Sequence, residues 1–257
     1  MQALLVLFLL LTTMLSSVVY AQQQKLGIHG EDNREQYNYV QLDSGVLRNV
    51  GYLKTQTSVA GGIRSGTCSA FVISADLVLT AAHCLYYPGA SLVKAGDVQF
   101  WLGYNGGAAP SSAIFKAREV VVHPEWASSG FNTKYDLGLV VLDRRAQVDG
   151  AKLASFKELE KALVGVSKLP RLIVAGYPGT RGGKIFFAPS DEYGIANGRM
   201  LMHKAAMEQG QSGGPVIWDQ KIIGVHSFIS QTTNASLAFD DELLALIREW
   251  TNRYSRF

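Results

Sequence analysis

Charge is scarce in this sequence and is not clustered. Asp, Glu, Lys and Arg make up 18% of the 257 residues, and the formal net charge is +3. No run of Lys or Arg indicates a nucleic-acid-binding surface. After residue 21, no apolar run approaches the roughly 18–20 residues that span a bilayer. We therefore expect neither nucleic acid nor a membrane as a partner of the mature chain, which we expect to be a monomer.

The first twenty residues contain no charged side chain. Ala3 to Leu15 forms an apolar core, and Val19 and Ala21 provide the small side chains that precede a signal-peptidase cut. A membrane anchor is the alternative, and the missing Lys or Arg at the start leaves it open, but the apolar run is short for one. We predict a signal peptide over residues 1–21 and a secreted or periplasmic protein.

Cysteine is rare as well, with Cys68 and Cys84 the only two in the chain. An even number in an exported protein favours one disulfide, and two buried free thiols are the alternative. Two cysteines cannot complete a closed zinc site, and no His/Cys spacing provides the missing ligands. We expect no metal and no cofactor.

Long helical patterns are few, and short apolar stretches broken by Gly, Asn, Asp and Pro dominate. Residues 147–168 are the most helix-like internal stretch and a candidate connection between two halves. Asp240 is placed to cap a C-terminal helix with one apolar face. This texture predicts an all-β fold of barrels or sandwiches. The predicted strands are Cys68–Ile73, Leu77–Leu79, Val98–Gly103, Glu119–Val122, Leu137–Leu142, Leu172–Gly176, Ile185–Ala188, Met200–Ala205, Val216–Trp218 and Ile222–Phe228.

The hexapeptide Gly-Gln-Ser-Gly-Gly-Pro at residues 210–215 has the residues that an acyl-transfer nucleophile needs. Its glycines let a substrate carbonyl approach the Ser212 hydroxyl, and its backbone N–H groups can face a developing oxyanion. A surface turn is the other interpretation of such a segment. Because serine alone is a weak nucleophile, the catalytic interpretation requires a base elsewhere in the chain.

Histidine is the expected base, because its pKa lies near neutrality. Of the five histidines, His83 is distinguished by its setting in Thr-Ala-Ala-His-Cys, where small residues surround it. Its neighbour Cys84 can tie it covalently to Cys68, which would help to position a base. A buried structural histidine is the alternative.

These segments resemble motifs of the chymotrypsin-like (trypsin-like) serine peptidases. Thr-Ala-Ala-His-Cys resembles the histidine motif, with Cys68 at the family's interval before it, and residues 210–215 resemble the nucleophile motif. Asp136, which opens the run Leu137–Leu142, is similar to the aspartate that orients the histidine, although it could also be a strand-end cap. All three occur in the family's order, from His83 to Asp136 to Ser212.

The resemblance implies two six-stranded antiparallel β-barrels followed by a C-terminal helix. Residues 46–150 would form the first barrel and residues 151–257 the second. It also implies a secreted endopeptidase acting on protein or peptide substrates. Ser212 would attack, His83 would transfer the proton, Asp136 would orient the histidine, and the N–H groups of Gly210 and Ser212 would form the oxyanion hole.

Two departures from trypsin narrow the resemblance. Gln211 stands where trypsin-like enzymes carry the aspartate that pairs with a newly cut N-terminus, and only one disulfide is available. With the segment Ile28–Arg34, these features resemble the bacterial glutamyl-endopeptidase (V8-like) branch. That branch removes a short propeptide, so residues 22–45 are expected to contain a propeptide and an N-terminal arm, with Gln22–Leu26 trimmed.

The predicted substrate pocket contains Ala206, Met207, His226 and Ser227. His226 matches the histidine that receives the substrate carboxylate in glutamate-specific members, where a hydroxyl residue also precedes the nucleophile by five positions. Here that position is Met207. A carboxylate would therefore lack one hydrogen bond, which costs about 1–3 kcal/mol. The pocket is expected to accept either glutamate or an apolar side chain.

Two other functions compete with the endopeptidase. Residues 210–214 also fit Gly-x-Ser-x-Gly, the nucleophile elbow of α/β-hydrolases, which needs an acid and a histidine after the serine. His226 is the only histidine after Ser212, and the strands predicted before Ser212 have no crossover helices between them. The second alternative is a catalytically silent homologue that acts as a binding protein, although no triad residue is lost.

Overall fold

The computed structural model describes residues 26–38, 45–59, 62–86, 91–108 and 111–257. The predicted signal peptide and residues 22–25 lie outside this part of the chain. Its strands are β1 Glu35–Gln36, β2 Val50–Val59, β3 Gly62–Ser74, β4 Leu77–Thr80, β5 Val98–Leu102, β6 Ile114–Val122, β7 Gly138–Leu142, β8 Leu172–Gly176, β9 Phe186–Ser190, β10 Tyr193–Ala196, β11 Met200–His203, β12 Pro215–Trp218, β13 Lys221–Phe228 and β14 Asn234–Ala238.

The α-helices are α1 Glu125–Ser128, α2 Phe156–Ala162 and α3 Asp241–Tyr254. Short 3₁₀ turns cover Val46–Asn49, Ala82–Cys84, Ala95–Asp97, Ser111–Ala113, Thr133–Tyr135 and Gly179–Arg181. None of the helices in the described ranges is long and apolar enough to cross a membrane.

The first half of the chain forms a closed antiparallel barrel of six strands in the order β2-β3-β4-β7-β6-β5. Phe71, Leu79, Phe100 and Leu139 are fully buried in its core. Closure pairs every strand on both sides, so the barrel has no exposed sheet edge. This is the first of the two predicted barrels.

The second half confirms the all-β class, but its sheet has eight strands rather than six. Their order is β1-β9-β8-β12-β13-β14-β11-β10. One extra strand is β1, which the N-terminal arm adds to β9 with Glu35 opposite Phe187. The other extra strand arises because Asp191 and Glu192 divide this part of the chain into β9 and β10. At the division the Ser190 hydroxyl donates to the Glu192 carbonyl oxygen at 2.8 Å.

The helix expected over residues 147–168 is shorter than predicted. Leu153 pairs with Ile222 as a β-bridge, so the chain before α2 is extended. A capping box formed by Ser155 and Glu158 begins the helix. It ends at Ala162, and Gly165 then takes a positive φ of 79°.

The C-terminal helix is confirmed, and its N-cap is Asp240, whose carboxylate accepts from the Leu243 N–H at 2.8 Å. Leu243, Ile247 and Trp250 are buried on its apolar face. This face packs against the rest of the protein and gives the helix most of its stability.

The residues after α3 contact the first barrel. Asp76, in the turn between β3 and β4, is fully buried. Its carboxylate accepts from the Ser255 hydroxyl at 2.8 Å and from the Arg256 N–H at 3.1 Å. Arg118 of β6 donates to the Tyr254 carbonyl oxygen at 2.9 Å, and its guanidinium lies 3.9 Å from Asp76. The C-terminal segment thus bridges the two halves.

Candidate active site

His83 and Asp136 are brought together by two adjacent strands. β4 and β7 pair antiparallel with Thr80 opposite Gly138, and the two residues lie just beyond this pair. His83 Nδ1 lies 2.8 Å from Asp136 Oδ2, and the backbone N–H of His83 donates to Oδ1 at 2.8 Å. Because a carboxylate only accepts, Nδ1 carries the proton. In the neutral ring Nε2 is therefore free to accept a proton.

Ser227 of β13 makes a third contact with the same carboxylate, since its hydroxyl donates to Asp136 Oδ2. This residue was predicted to line the substrate pocket, and the structure places it beside Asp136. The Asp136 side chain is only 1% exposed, whereas His83 is 33% exposed. The carboxylate is therefore shielded from water while the imidazole remains accessible.

The electrostatics of this pair favour an ionised aspartate and a basic histidine. Burial lowers the pKa of His83, but the charge and hydrogen bond of Asp136 outweigh it and raise the pKa above its ordinary value. Burial likewise raises the pKa of Asp136, and the neighbouring His83 and Ser227 outweigh it and lower the pKa. The pair is suited to a histidine that accepts a proton during a reaction.

A disulfide between Cys68 and Cys84 lies directly beside His83, as predicted. It joins β3 to the 3₁₀ turn that carries the histidine, with the two Cα atoms 6.2 Å apart. The two sulfurs and a ring nitrogen of His83 lie within 4.8 Å of one another. Since both sulfurs are in the disulfide, neither is a thiolate that could bind a metal ion.

The loop that carries Ser212, residues 210–215, contacts the first barrel. Gly213 has a φ of 82°, and a Cβ there would overlap Thr80 Oγ1 and the Ser69 carbonyl oxygen. The Ser69 N–H donates to the Ser212 carbonyl oxygen at 2.7 Å. Glycine is therefore required where the loop approaches β3 and β4.

Ser69 has a further contact that the sequence did not reveal. Its hydroxyl donates to the Gly210 carbonyl oxygen at 2.9 Å and accepts from the Tyr177 N–H at 2.8 Å. The residue follows Cys68 directly, so its side chain joins β3 to the loop and to the residue after β8. Its position directly after Cys68 places it near the site, but nothing in the sequence indicates these side-chain contacts.

The backbone around Gly210 leaves two N–H groups free. The Gln209 carbonyl oxygen accepts from the Gly179 N–H at 2.8 Å. Because a trans peptide is planar, the N–H of Gly210 points away from that contact. Within the described ranges, no acceptor is bonded to the N–H of Gly210 or of Ser212. Both groups were predicted to bind an oxyanion.

Two neighbouring cavities lie at this loop. The first, of about 400 Å³, is bordered by both His83 and Ser212, together with Arg64, Ser65, Gly66, Thr67, Cys68, Cys84, Gly179, Gln209 and Gly210. The second, of about 340 Å³, has Leu26, Ile28, Gly179, Thr180, Glu208, Gln209 and Ile229 as its lining. Gly179 and Gln209 border both, so the second cavity adjoins the first.

The other predicted pocket residues are buried. Ala206 and Met207 are 1% and 0% exposed, His226 is 0% exposed, and none of the three borders the two cavities above. His226 and His203 lie with their ring centroids 5.7 Å apart. The Ser236 hydroxyl is 2.9 Å from His203 Nε2 and 3.4 Å from His226 Nδ1.

Both of these histidines are held neutral. Burial, with a smaller effect from His29, lowers the pKa of His203 to about 3. Burial and the neighbouring histidines lower the pKa of His226 well below its ordinary value. A neutral His226 does not carry the positive charge that would attract a substrate carboxylate. Its assignment to the pocket stays a prediction.

A closed β-barrel followed by a second β-sheet, with His83 bonded to Asp136 and sharing a cavity with Ser212, is typical of serine-type endopeptidases. The family profile named Trypsin matches residues 45–239. The chain belongs to the trypsin family, as its sequence motifs predict.

Two curated relatives are similar over part of this chain. Human chymotrypsin-like elastase family member 1 is 36% identical over 83 residues, which is 32% of this chain and 30% of the human protein. Glutamyl endopeptidase from Bacillus licheniformis is 26% identical over 151 residues, which is 59% of this chain and 45% of that protein. The matched segments thus span less than half of each relative.

A solved Glu endopeptidase, in complex with MPD, has the same fold. It superposes with a TM-score of 0.69 at 18% sequence identity, covering 88% of this chain and 99% of that structure. At that identity the likeness concerns the fold. The partial sequence match to the Bacillus relative supports the predicted resemblance to the glutamyl-endopeptidase branch.

Proposed function

We propose that this protein is a secreted serine endopeptidase that cleaves protein or peptide substrates through an acyl-enzyme. The observation that carries the proposal is the His83–Asp136 pair, joined at 2.8 Å, on a cavity that Ser212 also borders. Membership of the trypsin family supports the same reaction.

In the proposed mechanism Ser212 Oγ attacks the peptide carbonyl carbon while His83 Nε2 takes the hydroxyl proton. Asp136 holds the proton on Nδ1 and stabilises the imidazolium that forms. The oxyanion accepts from the N–H groups of Gly210 and Ser212, each contributing about 10²- to 10³-fold to turnover. His83 then protonates the leaving amine, and water hydrolyses the acyl-enzyme by the same route.

Replacement of the nucleophile tests this proposal. Ser212→Ala should abolish peptide hydrolysis and labelling by a fluorophosphonate, because both require the hydroxyl. The variant should keep the wild-type circular dichroism spectrum and melting temperature, which serve as the control for folding. Unchanged turnover in the variant would refute Ser212 as the nucleophile. A wild type that neither cleaves peptides nor takes the label would favour the silent binding protein.

We further propose that the protease prefers an apolar side chain before the cleaved bond, rather than glutamate. The cavity beside Gln209 has Leu26, Ile28 and Ile229 as apolar lining. Its one ionisable lining residue among those described is Glu208, so the lining offers an acidic side chain no positive charge to pair with. The neutral state of buried His226 favours the same preference.

Cleavage-site profiling on a peptide library decides between the two preferences. Leu, Ile or Phe should dominate before the cut, and Ile229→Asp should lower kcat/KM for those peptides more than for peptides with a small residue there. Leu237→Ala, a change of a fully buried side chain that borders neither cavity, controls for lost packing. A dominant glutamate in the wild type would contradict the apolar preference.

We propose that the protein is secreted. The apolar segment before Ala21 supports this, and so does the disulfide, because disulfides persist in oxidising compartments. N-terminal sequencing of the exported protein is the measurement. A first residue at Gln22, or later if a propeptide is trimmed, is expected. Trimming up to Gly27 would also remove Leu26 from the lining of the second cavity. Retention of Met1 in the exported protein would contradict a cleaved signal peptide.

A further inference from the structure

The N-terminal arm places a buried arginine beside the segment that precedes Ser212. The Arg34 side chain is 1% exposed and lies between two carboxylates. Its Nε and Nη2 each lie 2.7 Å from an oxygen of Asp32, and its Nη1 lies 2.7 Å from Glu208 Oε2. All three of these contacts are charge-assisted hydrogen bonds, which are short and directional.

The Glu208 carboxylate joins the arm to a second segment. Its other oxygen, Oε1, accepts from the Thr180 N–H at 2.8 Å. Arg181, next in the chain, donates to Asp32 Oδ2 at 2.9 Å. Two arginines and two carboxylates therefore form one network, and both oxygens of Glu208 are occupied.

Residues 208–212, which we name the oxyanion loop, transmit the position of Glu208 to Gly210. The Gln211 N–H donates to the Glu208 carbonyl oxygen at 3.2 Å, and the Glu208 N–H donates to Gln211 Oε1 at 2.9 Å. These two bonds close the turn over residues 208–211. A shift of Glu208 therefore displaces Gly210 and its N–H.

The arm that carries Arg34 is itself fixed on both sides of the residue. Before it, the Gly27 N–H donates to the Ser230 carbonyl oxygen at 3.0 Å, and the Gly27 carbonyl oxygen accepts from the Met207 N–H at 2.9 Å. After it, β1 pairs with β9. Arg34 is thus presented to Glu208 from a fixed backbone.

We propose that Arg34 is a positioning residue for the oxyanion hole and acts through Glu208. The inference rests on the proposed endopeptidase function. The ion pair holds the turn over residues 208–211 so that the N–H groups of Gly210 and Ser212 converge on the oxyanion. Gln211 is neutral, so the charge that fixes this loop comes from Glu208 and from a residue 174 positions away in sequence.

The test compares Arg34→Gln, Glu208→Gln and the double variant in the full protein. Glu208→Gln is nearly isosteric and keeps an oxygen for the Thr180 N–H, so it removes mainly the charge. A fluorophosphonate counts the reactive serines, so that kcat is expressed per titrated site, and KM is measured alongside it. A peptide boronic acid, whose adduct with serine carries an oxyanion-like oxygen, reports on the hole directly.

We expect kcat per titrated site to fall by about 10- to 100-fold in each single variant, because a displacement near 1 Å costs about that much. KM should change by less than about threefold, while the inhibition constant for the boronic acid should rise with the loss in kcat. The kcat per titrated site of the double variant should be no lower than that of the less active single variant, because both changes break the same interaction. Arg34→Lys should lose less kcat than Arg34→Gln. Lysine keeps the positive charge but lacks the planar guanidinium that donates in several directions at once.

Arg118→Gln is the matched control, because it removes another partly buried arginine with a carboxylate nearby, at 3.9 Å, in the first barrel. It should lower the melting temperature and leave kcat per titrated site unchanged. A normal kcat per site in Glu208→Gln, or a loss seen only as fewer titrated sites, would overturn the positioning role. A wild type that takes no label would refute the endopeptidase function itself.

Discussion

The two halves of the protein treat histidine in opposite ways. In the first barrel His83 is one-third exposed and hydrogen-bonded to a carboxylate, and its pKa is raised. In the second sheet His203 and His226 are fully buried and share only the Ser236 hydroxyl, and their pKa values are lowered. Burial lowers the pKa in all three, so the difference comes from one partner.

This difference identifies which histidine can exchange a proton near neutral pH. A carboxylate at 2.8 Å stabilises the imidazolium, whereas a hydroxyl at a similar distance does not offset the loss of hydration. His83 is therefore the histidine suited to proton transfer, while burial favours the neutral form of His203 and His226. Three experiments test the contrast between these regions.

The largest effect is expected when the carboxylate of the first region is removed. Asp136→Asn should reduce kcat by about 10⁴-fold, because the ring loses its preferred tautomer and the charge that stabilises the imidazolium. In the wild type the acid limb of kcat/KM should have a midpoint above 6.5, since the pKa of His83 is raised. In the variant burial acts alone, so this midpoint should move to lower pH.

The measurement is kcat/KM of both proteins over a range from about pH 4 to about pH 9. Ser236→Ala, which removes the hydroxyl of the second region, serves as the control and should leave the midpoint unchanged. An identical acid limb in Asp136→Asn and the wild type would show that Asp136 does not set the basicity of His83.

A smaller effect is expected from the covalent link in the first region. The double change Cys68→Ala/Cys84→Ala opens the disulfide beside His83 and should lower the free energy of unfolding by about 3 kcal/mol, because a loop of this length is no longer constrained in the unfolded chain. Denaturant titration measures the loss. The wild type under reducing conditions should show the same loss, and equal midpoints with and without reductant would argue against it.

The smallest effect, over the range from about pH 7 to about pH 5, concerns the buried histidines and has a defined sign. The folded protein keeps His203 neutral down to a pKa of about 3, while the unfolded chain binds a proton near 6.5. The free energy of unfolding should therefore fall as the pH drops below 6.5, by about 1.4 kcal/mol per pH unit for each such histidine. The loss should level off near pH 3, where the folded state also protonates.

His203→Gln should remove the contribution of about one proton from the slope of the free energy of unfolding against pH. Urea titrations between about pH 7 and about pH 5 measure this slope. The comparison with the wild type cancels the contribution of the carboxylates that titrate in both proteins. A slope that does not differ between the two would mean that His203 is protonated in the folded state.

Contacts that are local in sequence were predictable from the residues themselves, whereas the distant His83–Asp136 contact was predicted only through the family resemblance. The setting of His83 among small residues beside Cys84 pointed to both the base and the disulfide. The strand β2 was missed because it buries Thr55 and Thr57, so the sequence has no apolar run there. A polar residue facing the core hides the alternation by which strands are recognised.

The contacts that support the site had no sequence signal of their own. Ser227 was expected to line the pocket, and only the placement of β13 beside Asp136, just before β7, shows its bond to that carboxylate. Arg34 and Glu208 are 174 residues apart, and each read singly is an ordinary surface charge. Their pairing depends on how the arm lies across the second sheet, which a one-dimensional pattern does not determine.

The hydrogen bonds between Asp76 and the C-terminal segment have a consequence for the order in which the protein folds. Asp76 belongs to the first barrel, but the groups that donate to its carboxylate, Ser255 and Arg256, are synthesised 179 and 180 residues later. In the folded protein the first barrel itself contributes Arg118, whose guanidinium lies 3.9 Å from this carboxylate. The first barrel is therefore synthesised before the two groups that satisfy the Asp76 carboxylate in the folded protein. Its final packing is completed only when the last helix docks.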